Sequence, residues 1–138
     1  MANDPTTSPP GRVVWIGRIL SGLVAAMLIM SATMKFTGSP ELIASLDHLG
    51  IPVALVPKLA VLELSCVLLY VLPRTAVLGA VLLTGYLGGA IFAHVRVGDP
   101  FIVVVMIGVV AWGALFLRDP RLRRLLPLRF PEPPVRLS

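Results

Sequence analysis

Long apolar runs separated by short polar breaks dominate this chain. The runs cover residues 13–34, 57–73, 75–95 and 101–117. A helix needs about 20 residues to cross the hydrocarbon core of a bilayer. Lipid offers no hydrogen-bond partners to the backbone, so apolar runs of this length are stable there as helices. The pattern therefore predicts four transmembrane helices, the fourth near the lower length limit.

The first run has a competing interpretation as a secretory signal peptide. Arg12 precedes it, and Ser31, Ala32 and Thr33 supply small residues near its end. The apolar core of a signal peptide usually has about 7–15 residues, and this run is longer. A first transmembrane helix is therefore favoured.

Two polar breaks carry signals for short helices that lie along the membrane surface. In residues 36–51, Ser39 can cap a helix, Pro40 suits its first turn and Gly50 can end it. Apolar residues recur there at helical spacing: Leu42, Ile43, Leu46 and Leu49. Asp119 and Pro120 start a second segment in which leucines alternate with arginines. Both segments are typical of interfacial amphipathic helices.

The predicted fold is therefore all-α, a polytopic membrane four-helix bundle with short interfacial helices. It divides into a disordered cytoplasmic tail (1–12), the four-helix transmembrane domain (13–127) and a Pro/Arg-rich cytoplasmic tail (128–138). Thr75 can cap the third helix, and Asp99 followed by Pro100 can start the fourth. The breaks at 73–75 and 96–100 are short, which makes the helices they join antiparallel. Small residues predict close helix packing, with another helix of the chain favoured over a second copy as the partner: Gly17, Ser21 and Ala25 in the first helix, and Gly85 and Gly89 in the third.

Composition agrees with this assignment. Hydrophobic residues make up 57% of the chain and charged residues 14%, against about 25% charged in soluble domains. Mean hydropathy is +0.91. The net charge of +5 comes largely from arginines after Leu117, at positions 118, 121, 123, 124, 129 and 136. Their position beside the last span predicts anionic lipid headgroups as partners, and no nucleic acid.

The distribution of cations also predicts orientation. With four spans both termini share a side, which carries Arg12, Arg74 and the C-terminal arginines. The opposite side carries Lys35, Lys58 and Arg96. The positive-inside rule then places both termini in the cytoplasm.

Motifs of catalysis and cofactor binding are absent from the sequence. The single cysteine, Cys66, excludes an internal disulfide and a CxxC redox pair, and it is interpreted as a small buried hydrophobe. The two histidines, His48 and His94, do not match a pair of haem ligands at equal depth. No HExxH, GxGxxG, P-loop or GxSxG occurs. We predict no catalytic residue and no metal site, and whether the chain is an enzyme stays open.

Ionisable residues inside spans are functional candidates, because each costs several kcal/mol unless it is paired or hydrated. Glu63 and Tyr86 each lie nine residues from the outer end of a predicted helix, roughly 13 Å deep at ~1.5 Å per residue. Lys35, His94 and Arg96 lie above them in the outer half. These five residues predict a polar pocket that binds a ligand, with Glu63 and Tyr86 able to share a hydrogen bond. A structural ion-pair cluster is the alternative interpretation.

Several motifs in order resemble the DoxX-like family of small bacterial four-helix membrane proteins. They are residues 31–36 (SATMKF), 48–52 (HLGIP), 62–64 (LEL), 85–90 (GYLGGA) with His94, Arg96 and Pro100, and Trp112 with 118–121 (RDPR). The likeness covers about residues 13–127. It implies a four-helix bundle in the plasma membrane. Some relatives are linked to quinone-coupled sulfur or thiol oxidation beside a soluble redox partner, but a chain with one cysteine cannot carry electrons through a thiol pair.

These observations favour an integral membrane subunit that docks a partner or holds a lipophilic molecule such as a quinone, beside a redox enzyme. No resident cofactor is required, and a second subunit or a second copy is the candidate protein partner. The alternatives are a quinone-linked membrane oxidoreductase with Glu63 or His94 relaying protons, an oligomeric transporter, and a purely structural accessory protein.

Overall fold

The computed structural model describes residues 11–125, and this part of the chain is helical apart from short connections. Its elements are α1 (Gly11–Thr37), α2 (Pro40–His48), a 3-10 turn (Val53–Leu55), α3 (Val56–Val71), α4 (Ala76–Val97), α5 (Ile102–Arg118) and α6 (Pro120–Leu125). The predicted all-α membrane bundle is confirmed, with α1, α3, α4 and α5 as its four long helices and α2 and α6 as the short ones.

Length and composition identify the spans. The helix α1, the stretch Val53–Val71 and α4 are long and apolar enough to cross a membrane. The helix α5 is apolar but has 17 residues, at the short end of the range of about 17–25 for a span. Large apolar side chains stay exposed on the outer faces, for example Leu68 at 61% and Val103 at 66%. Such a surface is stable against lipid and not against water, and the chain is a multi-pass membrane protein.

The four long helices form a ring in which α1 and α4 each pack against α3 and α5. The N-terminal half of α1 approaches the end of α5 closely. Gly17, Ser21 and Ala25 are buried, and a Cβ added at Gly17 would lie 2.7 Å from the backbone nitrogen of Arg118. The small-residue seam predicted in α1 is therefore confirmed, and it lies inside the chain.

A buried tyrosine joins three helices at the same end of the bundle. The hydroxyl of Tyr70 on α3 donates to the carbonyl of Ala111 on α5, at 2.8 Å, and lies 3.1 Å from Oγ of Ser21 on α1. The α3–α4 turn is equally tight, since a Cβ at Gly79 would overlap the backbone of Tyr70. The helices around Tyr70 are therefore densely packed.

The small residues of α4 behave differently from the prediction. A Cβ added at Gly85, Gly88 or Gly89 would meet no other atom within 4 Å. The prediction that these residues bring two helices of the chain together is wrong. The α4–α5 contact is looser than the others, and open space remains beside α4.

The signals for α2 were interpreted correctly. Oγ of Ser39 accepts a hydrogen bond from the backbone N–H of Leu42 at 3.4 Å. Gly50 ends the segment at φ +69°, a conformation that disfavours side chains. Leu46 and Leu49 pack on Val56, so α2 lies against the N-terminal end of α3.

Two predicted helix caps are not formed. The hydroxyl of Thr75 donates backward to the carbonyl of Leu69, at 2.9 Å, and does not cap α4. Asp99 lies too early to cap α5, which begins at Ile102, and it lies 3.3 Å from His48 of α2 instead. Asp119 does cap α6, accepting from the N–H of Arg121 at 2.9 Å. Local sequence indicates which side chains can cap a helix. Packing decides whether such a side chain bonds to the helix start or to another partner.

The first helix is longer than the apolar run that predicts it. The helix α1 starts at Gly11 and ends at Thr37, beyond both ends of the apolar run, because its backbone can continue helical hydrogen bonding through the polar interface. Arg12, assigned to the N-terminal tail, is therefore helical. The rest of that tail, and the predicted tail 128–138, lie outside the described residues.

Candidate functional site

A buried ion pair lies in the half of the bundle that contains the C-terminal end of α1. Nζ of Lys35 lies 2.9 Å from Oε2 of Glu63, and the two side chains are 8% and 2% exposed. Nζ also donates to Oγ of Ser31, one helical turn earlier, at 2.6 Å. The Ser31 hydroxyl in turn lies 3.5 Å from Oε2 of Glu63. Each charge is thus neutralised, which a low-dielectric environment requires.

This pair forms part of the wall of a cavity of about 670 Å³. All four long helices contribute to the wall, and most of the lining is apolar, for example Leu28, Leu59, Leu87 and Ile107. The end of α2 and the segment 49–52 close part of the cavity. A largely apolar cavity of several hundred Å³ with a few converging polar groups is typical of small-molecule sites.

One face of α4 forms a large part of the wall. Besides Leu87, six residues of α4 line the cavity: Gly85, Tyr86, Gly89, Ala90, Ala93 and His94. Four of these six are glycine or alanine, so their side chains take up little of the cavity. Gly85 and Gly89, which do not bring helices together, thus leave space for the cavity.

Tyr86 and His94 carry the other polar atoms on this face. Tyr86 lies beside Glu63, and the Glu63 carboxylate is a hydrogen-bond acceptor within reach of the tyrosine hydroxyl. Nδ1 of His94 lies 2.8 Å from the carbonyl oxygen of Ala90. Because a carbonyl only accepts, Nδ1 carries the proton, and Nε2 makes no hydrogen bond to a described residue. Nε2 is therefore available to a ligand, and the Tyr86 hydroxyl is available to a ligand that displaces its contact with Glu63.

Arg96 is the predicted pocket residue that lies outside the cavity wall. Its Nη2 donates to the carbonyl oxygen of Leu49, at the end of α2. The side chain therefore fixes α2, which closes the cavity, without lining the cavity itself. Lys35, Glu63, Tyr86 and His94 are the four predicted residues that the fold brings together. Ligand binding by these residues stays a prediction.

Sequence reasoning missed Ser31 and the contribution of α2. Ser31 was noted only as a small residue, although its position four before Lys35 places both on one helix face. The contact of Leu46 and Leu49 with the cavity depends on how α2 folds back, which no local signal encodes.

Within residues 11–125 no group of three His, Cys, Asp or Glu side chains is placed to hold a metal ion. Cys66 is buried and unpaired.

Comparison with known proteins gives one match. The sequence profile of the DoxX-like family matches residues 19–117, which include α2 to α5 and most of α1. No curated protein and no solved structure matches the chain. The match covers most of the chain, including every element that lines the cavity, and the protein is a member of the DoxX-like family.

Proposed function

We propose that this protein binds a neutral lipophilic molecule with a polar head, of which a quinone is the leading example, in the cavity between its four long helices. The observation that carries the proposal is the cavity itself. About 670 Å³ of mostly apolar space lies beside a satisfied ion pair. A bundle that needed only to be stable would gain by filling such a space.

The charge state of the wall supports a neutral ligand. Lys35 and Glu63 neutralise each other at 2.9 Å, so neither offers a free charge. Tyr86 can donate a hydrogen bond from its hydroxyl, and Nε2 of His94 can accept one. A quinone carbonyl accepts from Tyr86, while its hydrocarbon tail fits the leucine-lined remainder. Exposed lining residues such as Met27 and Leu62 place part of the cavity toward lipid, where such molecules dissolve.

The test is binding of a decyl-substituted benzoquinone to the purified protein in mild detergent, followed by quenching of tryptophan fluorescence. Gly89→Leu places a large side chain in the wall of the cavity, where a Cβ meets no protein atom. Gly88→Leu is the matched control, since Gly88 also has open space around it but does not line the cavity. Both variants should fold.

We expect Gly89→Leu to weaken quinone binding at least tenfold and Gly88→Leu to leave it unchanged. Tyr86→Phe should weaken binding by a smaller factor of about 3–10, the usual value of one hydrogen bond. Equal binding by wild type and Gly89→Leu would refute a site in this cavity. Absence of binding to the wild type would refute the quinone and favour a purely structural ion pair.

We further propose that both termini face the cytoplasm from the plasma membrane. The support is the excess of arginine at the end of the bundle that holds the start of α1, the α3–α4 turn and the end of α5. The test is labelling of whole cells with a membrane-impermeant maleimide in a Cys66→Ala background. A cysteine at position 58 should react, and one at position 74 should react only after the cells are opened. The reverse pattern would contradict this orientation.

A further inference from the structure

A second cavity, of about 690 Å³, lies at the opposite end of the bundle from the ion pair. It is bounded by the N-terminal half of α1, the α3–α4 turn, the end of α5 and α6. Four arginines from these different elements line it: Arg18, Arg74, Arg118 and Arg121. Asp119 is the single carboxylate among the lining residues. The cavity therefore carries a clear excess of positive charge.

The side chain of Arg118 is held in place in this cavity, but not all of its hydrogen-bond donors have partners. Its guanidinium lies over the ring of Tyr70, 4.8 Å from the ring centre, and Nη2 donates to the Tyr70 carbonyl. Nε is buried and has no hydrogen-bond partner among the described residues. No carboxylate of the described chain lies within ion-pair distance of Arg118. A partly buried cation without a counter-ion is unfavourable, and an anion from outside the described chain would relieve this.

The remaining charges of the cavity are also available. Asp119 accepts the backbone N–H of Arg121 at the start of α6 and forms no ion pair with a described residue. Arg18 lies over the Trp15 ring, at 5.9 Å. The side chains of Arg74 and Arg121 are exposed and make no hydrogen bond within residues 11–125. Three further guanidinium groups can therefore turn toward a bound anion.

The wall between the arginines is apolar. Leu115 and Leu122 are buried there, and Val77 and Leu125 are exposed, Leu125 at 79%. A soluble anion would use the guanidinium groups but gain nothing from these leucines. An amphiphile would use both, with its phosphate among the arginines and its chains along Val77 and Leu125. Basic pockets between transmembrane helices are known sites for anionic lipid headgroups.

We infer that this cavity is a binding site for the phosphate headgroup of an anionic phospholipid. Its arginines come from α1, the α3–α4 turn, α5 and α6, so the site exists only when the bundle is assembled. This distinguishes it from general attraction of the C-terminal arginines to the membrane surface. A lipid bound here would join all four elements and would not depend on a ligand in the first cavity.

The test is native mass spectrometry of the delipidated full chain, titrated with phosphatidylglycerol or with phosphatidylcholine of identical acyl chains. The variant is Arg74→Gln/Arg121→Gln, which removes two exposed arginines that make no side-chain hydrogen bond within the described chain. The matched control is Arg12→Gln/Lys58→Gln, which removes the same charge from exposed positions outside the cavity. Sodium phosphate without lipid serves as the free-anion probe.

We expect the wild type and the control variant to hold one phosphatidylglycerol in preference to phosphatidylcholine. The cavity variant should bind phosphatidylglycerol about twentyfold more weakly, at about fivefold for each arginine. Equal weakening in the cavity and control variants would overturn the site in favour of diffuse charge. Displacement of phosphatidylglycerol by millimolar phosphate would overturn the lipid as its occupant in favour of a free anion.

Discussion

The ion pair between Lys35 and Glu63 makes a sharp energetic prediction. Lys35→Met keeps the length of the side chain and removes its charge. It leaves Glu63, which is 1% exposed, with the Ser31 hydroxyl at 3.5 Å and the neighbouring Tyr86 hydroxyl as its remaining hydrogen-bond donors. Glu63→Gln does the reverse, keeping the shape of the acid and leaving the lysine without its counter-ion.

The magnitudes follow from depth and distance. At 2.9 Å and an effective dielectric constant of about 20, the attraction is about 6 kcal/mol, and desolvation of both groups offsets part of it. Glu63 lies in the middle of α3 and cannot reach water, so we expect Lys35→Met to cost about 3 kcal/mol. Lys35 lies two residues before the end of α1 and can turn toward the interface. Glu63→Gln should therefore cost only about 1 kcal/mol.

The double variant Lys35→Met/Glu63→Gln leaves no buried charge. We expect it to lie within about 1 kcal/mol of the wild type, giving a coupling energy of about 3 kcal/mol. Reversible unfolding in mixed micelles, followed by the emission of Trp15 and Trp112, measures all four proteins. Lys58→Met, at an exposed lysine, is the control and should change stability by less than about 0.5 kcal/mol. Additive single effects, with no coupling, would refute a buried and energetically linked pair.

Three further predictions concern the packed end of the bundle and the cysteine. Gly79→Ala should destabilise the protein by about 1–3 kcal/mol in the same assay, because the added Cβ would overlap the backbone of Tyr70. The control Gly22→Ala adds its Cβ in open space and should stabilise the protein by about 0.5–1 kcal/mol. Equal effects of the two substitutions would contradict the close approach of α3 and α4. Tyr70→Phe loses two buried hydrogen bonds, one of them to Ser21, and should cost about 1–3 kcal/mol; an unchanged unfolding midpoint would argue against them. Cys66, at 2% exposure, should react with N-ethylmaleimide only after unfolding, and rapid labelling of the folded protein would show that α3 is packed differently.

Much of the fold was predictable because its determinants are local. The apolar runs locate α1, α3, α4 and α5 to within a few residues. Ser39, Pro40 and Gly50 define α2 through short-range hydrogen bonds and backbone freedom. The cap predictions for Thr75 and Asp99 failed because each side chain found a partner on another turn or another helix. Those partners, Leu69 and His48, become available only in the packed chain.

The candidate site was predictable in part. Depth along each helix placed Glu63 and Lys35 in the same half of the bundle, and an unpaired buried charge is costly enough to suggest a partner. Rotation about each helix axis is not encoded by depth. The structure therefore decided that Tyr86 and His94 line the cavity while Arg96 bonds to Leu49 outside it. It also decided that Gly85 and Gly89 border open space instead of a neighbouring helix.

The sequence by itself determined that this protein is a multi-pass helical membrane protein, because hydrophobic length and backbone hydrogen bonding leave a bilayer few alternatives. Tertiary structure decided which polar groups meet. Lys35 of α1 pairs with Glu63 of α3. In the second cavity four arginines come together from four elements: Arg18, Arg74, Arg118 and Arg121. Such meetings depend on helix rotation and on the small residues of α1, whose packing sums many weak contacts between residues distant along the chain. Hydrophobicity specifies where each helix lies in depth, and side-chain packing specifies which face each helix presents to its neighbours.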